Sequence, residues 1–174
     1  MPARDGYVLA SDDALIAQSE VDRYRASGPG GQHRNKTESA VRLRHKLTGV
    51  SAIGEDSRSQ SENKLHAVRR LRSAIALQVR EPISLDGYTP STRLAAFVAA
   101  GTSPLGKNTK LTGAYWAAIG ELLDLLVAGE LEIGTTAQRL GITTGALSKL
   151  LLHDDSVART VNDARRARQM RPLR

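Results

Sequence analysis

Residues 27–36 read Ser-Gly-Pro-Gly-Gly-Gln-His-Arg-Asn-Lys, and the core of that run, Gly28-Pro29-Gly30-Gly31, cannot extend a helix or a strand. Glycine costs entropy in either element, and proline lacks the N–H that both need. The chain must therefore be built from elements on either side of an exposed loop. That loop has a marked charge. No carboxylate occurs between Asp22 and Glu38, while Arg23, Arg25, Arg34 and Lys36 fall in the same interval. A segment poor in Cβ atoms lets another molecule come close to its main-chain amides. Cations on both shoulders favour an anionic visitor.

The wider charge balance agrees. The formal net charge of the 174 residues is +7. Residues 1–80 hold 14 Lys/Arg against 9 Asp/Glu, residues 81–164 hold 6 against 9, and residues 165–174 hold 5 Arg and no acid. A polyanion is the leading class of partner, met by the front and the end of the chain. There is no cysteine, and the four histidines (His33, His45, His66, His153) show no ligand spacing, so no metal is expected. No run approaches the ~20 apolar residues of a membrane span. With Asp5, Asp12, Asp13 and Glu20 in the first twenty residues, the start resembles neither a secretory signal nor a transit peptide. The expectation is a soluble, cytoplasmic protein with no membrane partner and no cofactor.

Along the chain, residues 1–11 read as loose, and Ser11 or Asp12 caps a short helix over 13–18. Val21–Arg25 reads as a strand entering the loop, and Lys36–Ser39 as one helical turn after it. Val41–Leu47 alternates, with Val41, Leu43 and Leu47 on one face and Arg42, Arg44 and Lys46 on the other. Thr48-Gly49 turns the chain into a return strand over 50–54. Ser59 and Glu62 fit a capping box that opens a long helix, with Leu65, Val68, Leu71 or Arg72, Ile75 and Val79 at helical spacing. The fold class is α+β in front and all-α behind. The expected division is an α+β domain over 1–83, a Ser/Asp/Gly/Pro linker over 84–92, a helical module over 93–164 and a basic tail over 165–174. Within the module, helices are expected over 93–100, 114–128, from a Thr135–Gln138 box to Leu140, over 145–152 behind a Thr144 cap, and over 156–168.

Residues Tyr24 to Arg42, with Gly30-Gly31-Gln32 at their centre, closely resemble the catalytic-domain signature of class I peptide-chain release factors and related stalled-ribosome rescue hydrolases. The likeness continues in register through Leu47-Thr48-Gly49-Val50, Arg58-Ser59-Gln60, Asn63-Lys64 and Leu71-Arg72, covering about residues 18–80. It implies hydrolysis of peptidyl-tRNA in the peptidyl transferase centre of the ribosome. Gln32 would offer its main-chain N–H to the tetrahedral oxyanion and its side-chain amide to the attacking water, with Gly30 and Gly31 setting the backbone and the tRNA's terminal ribose relaying the proton. A preorganised N–H of this kind is worth up to ~3–4 kcal/mol. No Ser, Cys or Lys has an evident base, which argues against a covalent intermediate. The resemblance also implies N-methylation of Gln32, hence a glutamine methyltransferase as a partner, and contacts to ribosomal RNA from Arg25, His33, Arg34, Asn35 and Lys36. Arg34 replaces the apolar residue more usual there. Arg42, Arg44, Lys46, Arg58 and Lys64 read either as a solvated face or as phosphate contacts.

Three further features are weighed. Gly101–Asn108 nearly spells a P-loop, but Asn108 stands where Ser or Thr would hold Mg²⁺ and no strand precedes it. Ala137, Gly141, Ile142, Leu147 and Leu150 fit helix-turn-helix spacing, yet Lys149 would be the recognition helix's lone cation, so a structural or protein-docking role is favoured over DNA readout. Arg165, Arg166, Arg168, Arg171 and Arg174 read either as a solvated terminus or as an RNA-binding tail, which the resemblance favours. Nothing in 86–174 looks like a codon-reading domain. The function expected is therefore codon-independent release on stalled ribosomes, with a non-catalytic ribosome or tRNA binder and a DNA-binding regulator as alternatives.

Overall fold

A computed structural model describes residues 4–24, 39–101 and 112–174. The chain divides into two compact units, Met1–Val79 and Arg80–Arg174. The described residues of the first form a three-stranded sheet and three helices, an α+β arrangement; those of the second form five helices.

In the first unit, α1 (Arg4–Val8) and α2 (Asp12–Ala17) precede the antiparallel sheet β1 (Ser19–Tyr24), β2 (Ala40–His45) and β3 (Ser51–Gly54), in that spatial order. Helix α3 (Gln60–Gln78) lies on β2 and β3. Alternation along β2 explains this packing: Val41, Leu43 and His45 are buried, while Arg42 and Arg44 face solvent. Leu47, expected on the inner face, is 59% exposed. The strand ends at His45 because the chain turns there, with Gly49 donating to the His45 carbonyl at 2.8 Å and adopting φ +72°. Only a residue without Cβ takes that φ freely.

Helix α3 starts where Ser59 caps it, its Oγ accepting from the Glu62 N–H. The expected reciprocal bond is not made. Ser57 Oγ accepts the Ser59 N–H at 3.0 Å and binds the Glu62 carboxylate instead. The inward stripe runs through Asn63, Ala67, Val68, Leu71, Arg72, Ile75 and Ala76, and Leu65 stays outside it at 37% exposure. Strand β3 approaches this helix backbone to backbone. A Cβ on Gly54 would lie 2.0 Å from the Asn63 carbonyl oxygen and 2.9 Å from the Ala67 nitrogen.

The N-terminal residues are ordered rather than loose from Arg4 onward. Tyr7 and Val8 are buried, and Arg72 reaches from α3 to the carbonyls of Val8 and Ala10 (2.7 Å) and to the Asp12 carboxylate. Ser11 caps α2 as expected, accepting from Ala14 N–H at 3.2 Å.

The second unit is built on α5 (Gly113–Ala128), buried from Tyr115 to Gly120 and from Leu122 to Leu126. Around it come α4 (Thr92–Ala100), α6 (Ile133–Arg139), α7 (Thr144–Leu152) and α8 (Asp155–Ala167). The stretch before α4 is not helical, but two α5 carboxylates hold it. Asp124 takes Arg80 at 3.0 Å and the Glu81 N–H at 3.1 Å; Glu121 takes the Tyr88 hydroxyl at 2.9 Å and the Ser91 N–H at 2.8 Å. Burial and the adjoining Glu121 push the Tyr88 phenol pKa upward. Helix α6 begins at Ile133, two residues before the Thr135–Gln138 pattern. The turn ahead of it holds Glu130 and Leu131 at positive φ and buries Leu131, so the chain re-enters the helix early. Thr143, not Thr144, caps α7, and Asp154 caps α8.

Candidate functional site

The glycine loop itself, with Arg25, Gly30, Gly31, Gln32, His33, Arg34, Asn35 and Lys36, lies outside the described residues, as does most of the turn expected over 36–39. Its two stems are described. The last pair of the β1–β2 ladder is Tyr24 with Ala40, so the chain leaves and re-enters the sheet at adjacent positions. Antiparallel pairing up to that point fixes the spacing of the two loop ends.

Each stem is tied to the connection between β3 and α3. On the entry side, the Tyr24 hydroxyl donates to Glu55 Oε2 at 3.2 Å, and the Arg42 guanidinium lies 5.2 Å from the centre of the Tyr24 ring. Burial, then Glu55, raises the Tyr24 phenol pKa. On the exit side, Asn63 Nδ2 donates to the Ser39 carbonyl at 2.7 Å and to the Ser57 carbonyl at 2.8 Å, while its Oδ1 accepts the Ser57 N–H at 2.8 Å. Asn63 is fully buried. Three short bonds satisfy most of an amide's capacity, as burial of so polar a group requires.

The cations divide by circumstance. Arg42 and Arg44 are exposed on the outer sheet face, opposite Asp22 and Glu20 of β1. That face therefore carries both signs rather than one. The Arg42–Asp22 pair, 3.8 Å apart and about half exposed on each side, is worth at most ~1 kcal/mol and leaves Arg42 available to another anion. Lys46 is exposed in the β2–β3 turn, Arg58 is exposed between Ser57 and Ser59, and Lys64 is half-buried in the first turn of α3. Close by, Asp56 holds Arg70 at 2.9 Å and His66 at 3.2 Å, and the Arg70 hydrogen bond keeps the Asp56 carboxyl below the usual range.

The C-terminal arginines are not strung along an extended tail. Beyond α8, Met170 N–H returns to the Arg165 carbonyl, and Asn162 exchanges two bonds with the Leu173 backbone, at 2.7 and 3.4 Å. Arg165 donates to the carbonyls of Arg171 and Leu131, and Arg166 pairs with Asp163 at 2.6 Å. Arg168, Arg171 and Arg174 are exposed. Helices α6 and α7 meet through a turn in which Gly141 has φ +66°, a helix-turn-helix connection with Lys149 exposed on α7. The P-loop-like run falls outside the described residues beyond Gly101.

Among the described residues, no group of three His, Cys, Asp or Glu side chains could hold a metal ion, and no helix is long and apolar enough to cross a membrane. Sequence reasoning missed Tyr24, Ser57 and Asn63 as holders of the loop stems. Asn63 lay in plain view within Asn63-Lys64, but a polar residue at the head of an apolar stripe carries no periodic signal.

Residues 15–85 match the RF-1 domain family. Peptide chain release factor 1 of Albidiferax ferrireducens is 47% identical over 74 residues, which are 39% of this chain and 20% of that protein. The protein of the same name from Acetivibrio thermocellus is 51% identical over 61 residues, 35% and 17% of the two chains. Peptide chain release factor 2 of Buchnera aphidicola subsp. Baizongia pistaciae is 50% identical over 60 residues, 34% and 16%. The chain thus spans a fifth or less of the length of these relatives, and the family match over 15–85 takes in both loop stems. Over residues 15–85, where it matches the RF-1 domain, this chain is similar to class I peptide chain release factors.

Proposed function

We propose that this chain hydrolyses peptidyl-tRNA on stalled ribosomes without reading a codon. One observation carries the reading. The RF-1 match over 15–85 encloses Gly30-Gly31-Gln32, and strands β1 and β2 pair directly on either side of it. Water attacks the ester carbonyl linking nascent chain to tRNA. The carbonyl oxygen gains charge, and the Gln32 main-chain N–H stabilises it. The ribose oxygen leaves with the proton, and the peptide departs as a carboxylic acid. The Gln32 side-chain amide seats the water, which is where N-methylation by a glutamine methyltransferase would act.

Ribosomal RNA is the partner of the basic shoulders Arg25, His33, Arg34, Asn35 and Lys36, and of Arg42, Arg44, Lys46, Arg58 and Lys64. The codon-independent part of the reading is supported by the character of the second unit. It is a helical module closing on a folded-back arginine arm, in which Arg168, Arg171 and Arg174 offer phosphate contacts. A second reading draws on the α6–α7 helix-turn-helix, as a duplex DNA binder, but Lys149 is the lone cation of α7 and phosphate neutralisation would be weak.

The test adds purified protein to ribosomes halted on an mRNA that lacks a stop codon and measures released peptide. Release is the expected outcome. Ribosome binding without release would instead favour a non-catalytic binder, and tight sequence-selective DNA binding would favour the second reading.

A further inference from the structure

Asn63 occupies a position that the proposed chemistry does not explain by itself. It lies in the first turn of α3 and is fully buried. Its one side chain holds two separate pieces of backbone. One is the Ser39 carbonyl, at the exit of the catalytic loop, 24 residues earlier in the chain. The other is Ser57, gripped at both its N–H and its carbonyl. Ser57 in turn fixes Ser59 through its own hydroxyl. The exposed residue between them is Arg58, one of the cations assigned to ribosomal RNA.

We infer that Asn63 is a positioning residue, which locks the exit stem of the catalytic loop to the backbone that presents Arg58. The inference rests on the proposed function. Its physical content is a shared donor. The two hydrogens of Nδ2 go to two carbonyls from two segments, so neither segment can shift alone without breaking a buried bond. An RNA phosphate seated on Arg58 would thereby set the stem of the loop whose tip meets the ester. Catalysis by a fixed amide is sensitive to such placement, because a displacement near 1 Å can cost about 100-fold in rate. The entry stem has its own anchor in Tyr24 and Glu55, on the same connection.

The test uses Asn63→Asp in the full chain. It is nearly isosteric, keeps the acceptor for the Ser57 N–H and removes both donated bonds. Single-turnover release on stalled ribosomes is measured across protein concentrations, with amide hydrogen exchange on the free protein. We expect the saturating rate to fall at least about tenfold, which is roughly 1.4 kcal/mol of barrier. The half-saturating concentration should change by less than about threefold. Exchange at Ala40 and Val41 should quicken while Leu71 and Ile75 in α3 keep their protection. An unchanged saturating rate in a folded variant would overturn the inference. So would exchange that rises equally at all four amides, since Asn63 would then merely hold the fold together. If the wild-type chain releases nothing, the functional reading fails, and the exchange pattern alone decides whether Asn63 locks the stem.

Discussion

Replacing Gly54 by alanine should be among the most damaging single-methyl changes in the first unit. The added Cβ would stand 2.0 Å from the Asn63 carbonyl oxygen and 2.9 Å from the Ala67 nitrogen, both backbone atoms of α3. Contacts below 3.0 Å are essentially never seen for a real Cβ, so β3 and α3 must separate by about 1 Å. No rotamer change can absorb this. Overpacking usually costs about 1–3 kcal/mol, and a clash of backbone against backbone belongs at or above the upper end. For a unit of this size each kcal/mol lowers the melting temperature by roughly 4–8 °C, so a fall of 12 °C or more is expected. Gly49→Ala is the comparator. It has positive φ but open space around it, so only conformational strain applies, about 1–2 kcal/mol. Thermal unfolding of both variants, followed by circular dichroism, decides the matter. If Gly54→Ala melts no lower than Gly49→Ala, the close approach of β3 to α3 is not what holds this unit together.

Two further perturbations probe the same unit. Arg72→Leu keeps the bulk inside α3 but strips the donors from the Val8 and Ala10 carbonyls and leaves Asp12 unpaired; a loss of about 2–4 kcal/mol is expected in urea unfolding, with faster exchange in α1 and α2. A loss below about 0.5 kcal/mol would mean that those carbonyls find other partners. His45 supplies a pH dependence. Burial lowers its pKa, and the Thr48 N–H donates to its Nδ1, so the folded state favours the neutral ring. The unfolded chain therefore binds the proton more readily. Stability is full above the unfolded value near 6.5 and falls as pH drops below it, by at most about 1.4 kcal/mol per pH unit, levelling off below the depressed folded value. Urea midpoints between pH 8 and 5 should show this slope in the wild type and lose it in His45→Gln; an equal slope in both would assign the effect elsewhere.

The α+β plan of the first unit was legible because period-2 alternation in 41–45 and the capped apolar stripe of 63–76 are strong local signals. What escaped is instructive. Alternation places Leu47 inside and helical spacing places Leu65 there, yet a turn at Gly49 and the polar head of the stripe leave both exposed. His45 and Asn63 are buried with specific hydrogen bonds, which hydrophobic periodicity does not register. The order of residues 4–10 depends on Arg72, more than sixty residues away in sequence. Likewise, the composition of 84–92 suggests a free connection, but its attachment to Glu121 comes from α5, thirty residues on. In the arm, Asn162 and Arg165 recapture the chain after α8, a tertiary choice that a run of arginines hides. For the candidate site, the glycine run and its cationic shoulders were plain from residue types alone. The devices that hold its stems were not.

In the proposed reaction, one main-chain hydrogen at Gln32 stabilises the charge on the ester oxygen. Peptide release from stalled ribosomes by Gln32→Pro and Gln32→Ala tests it most directly, since proline removes the N–H and alanine keeps it. Gln32→Pro should abolish release while Gln32→Ala retains a measurable part. Equal loss in the two variants, with ribosome binding intact, would contradict it.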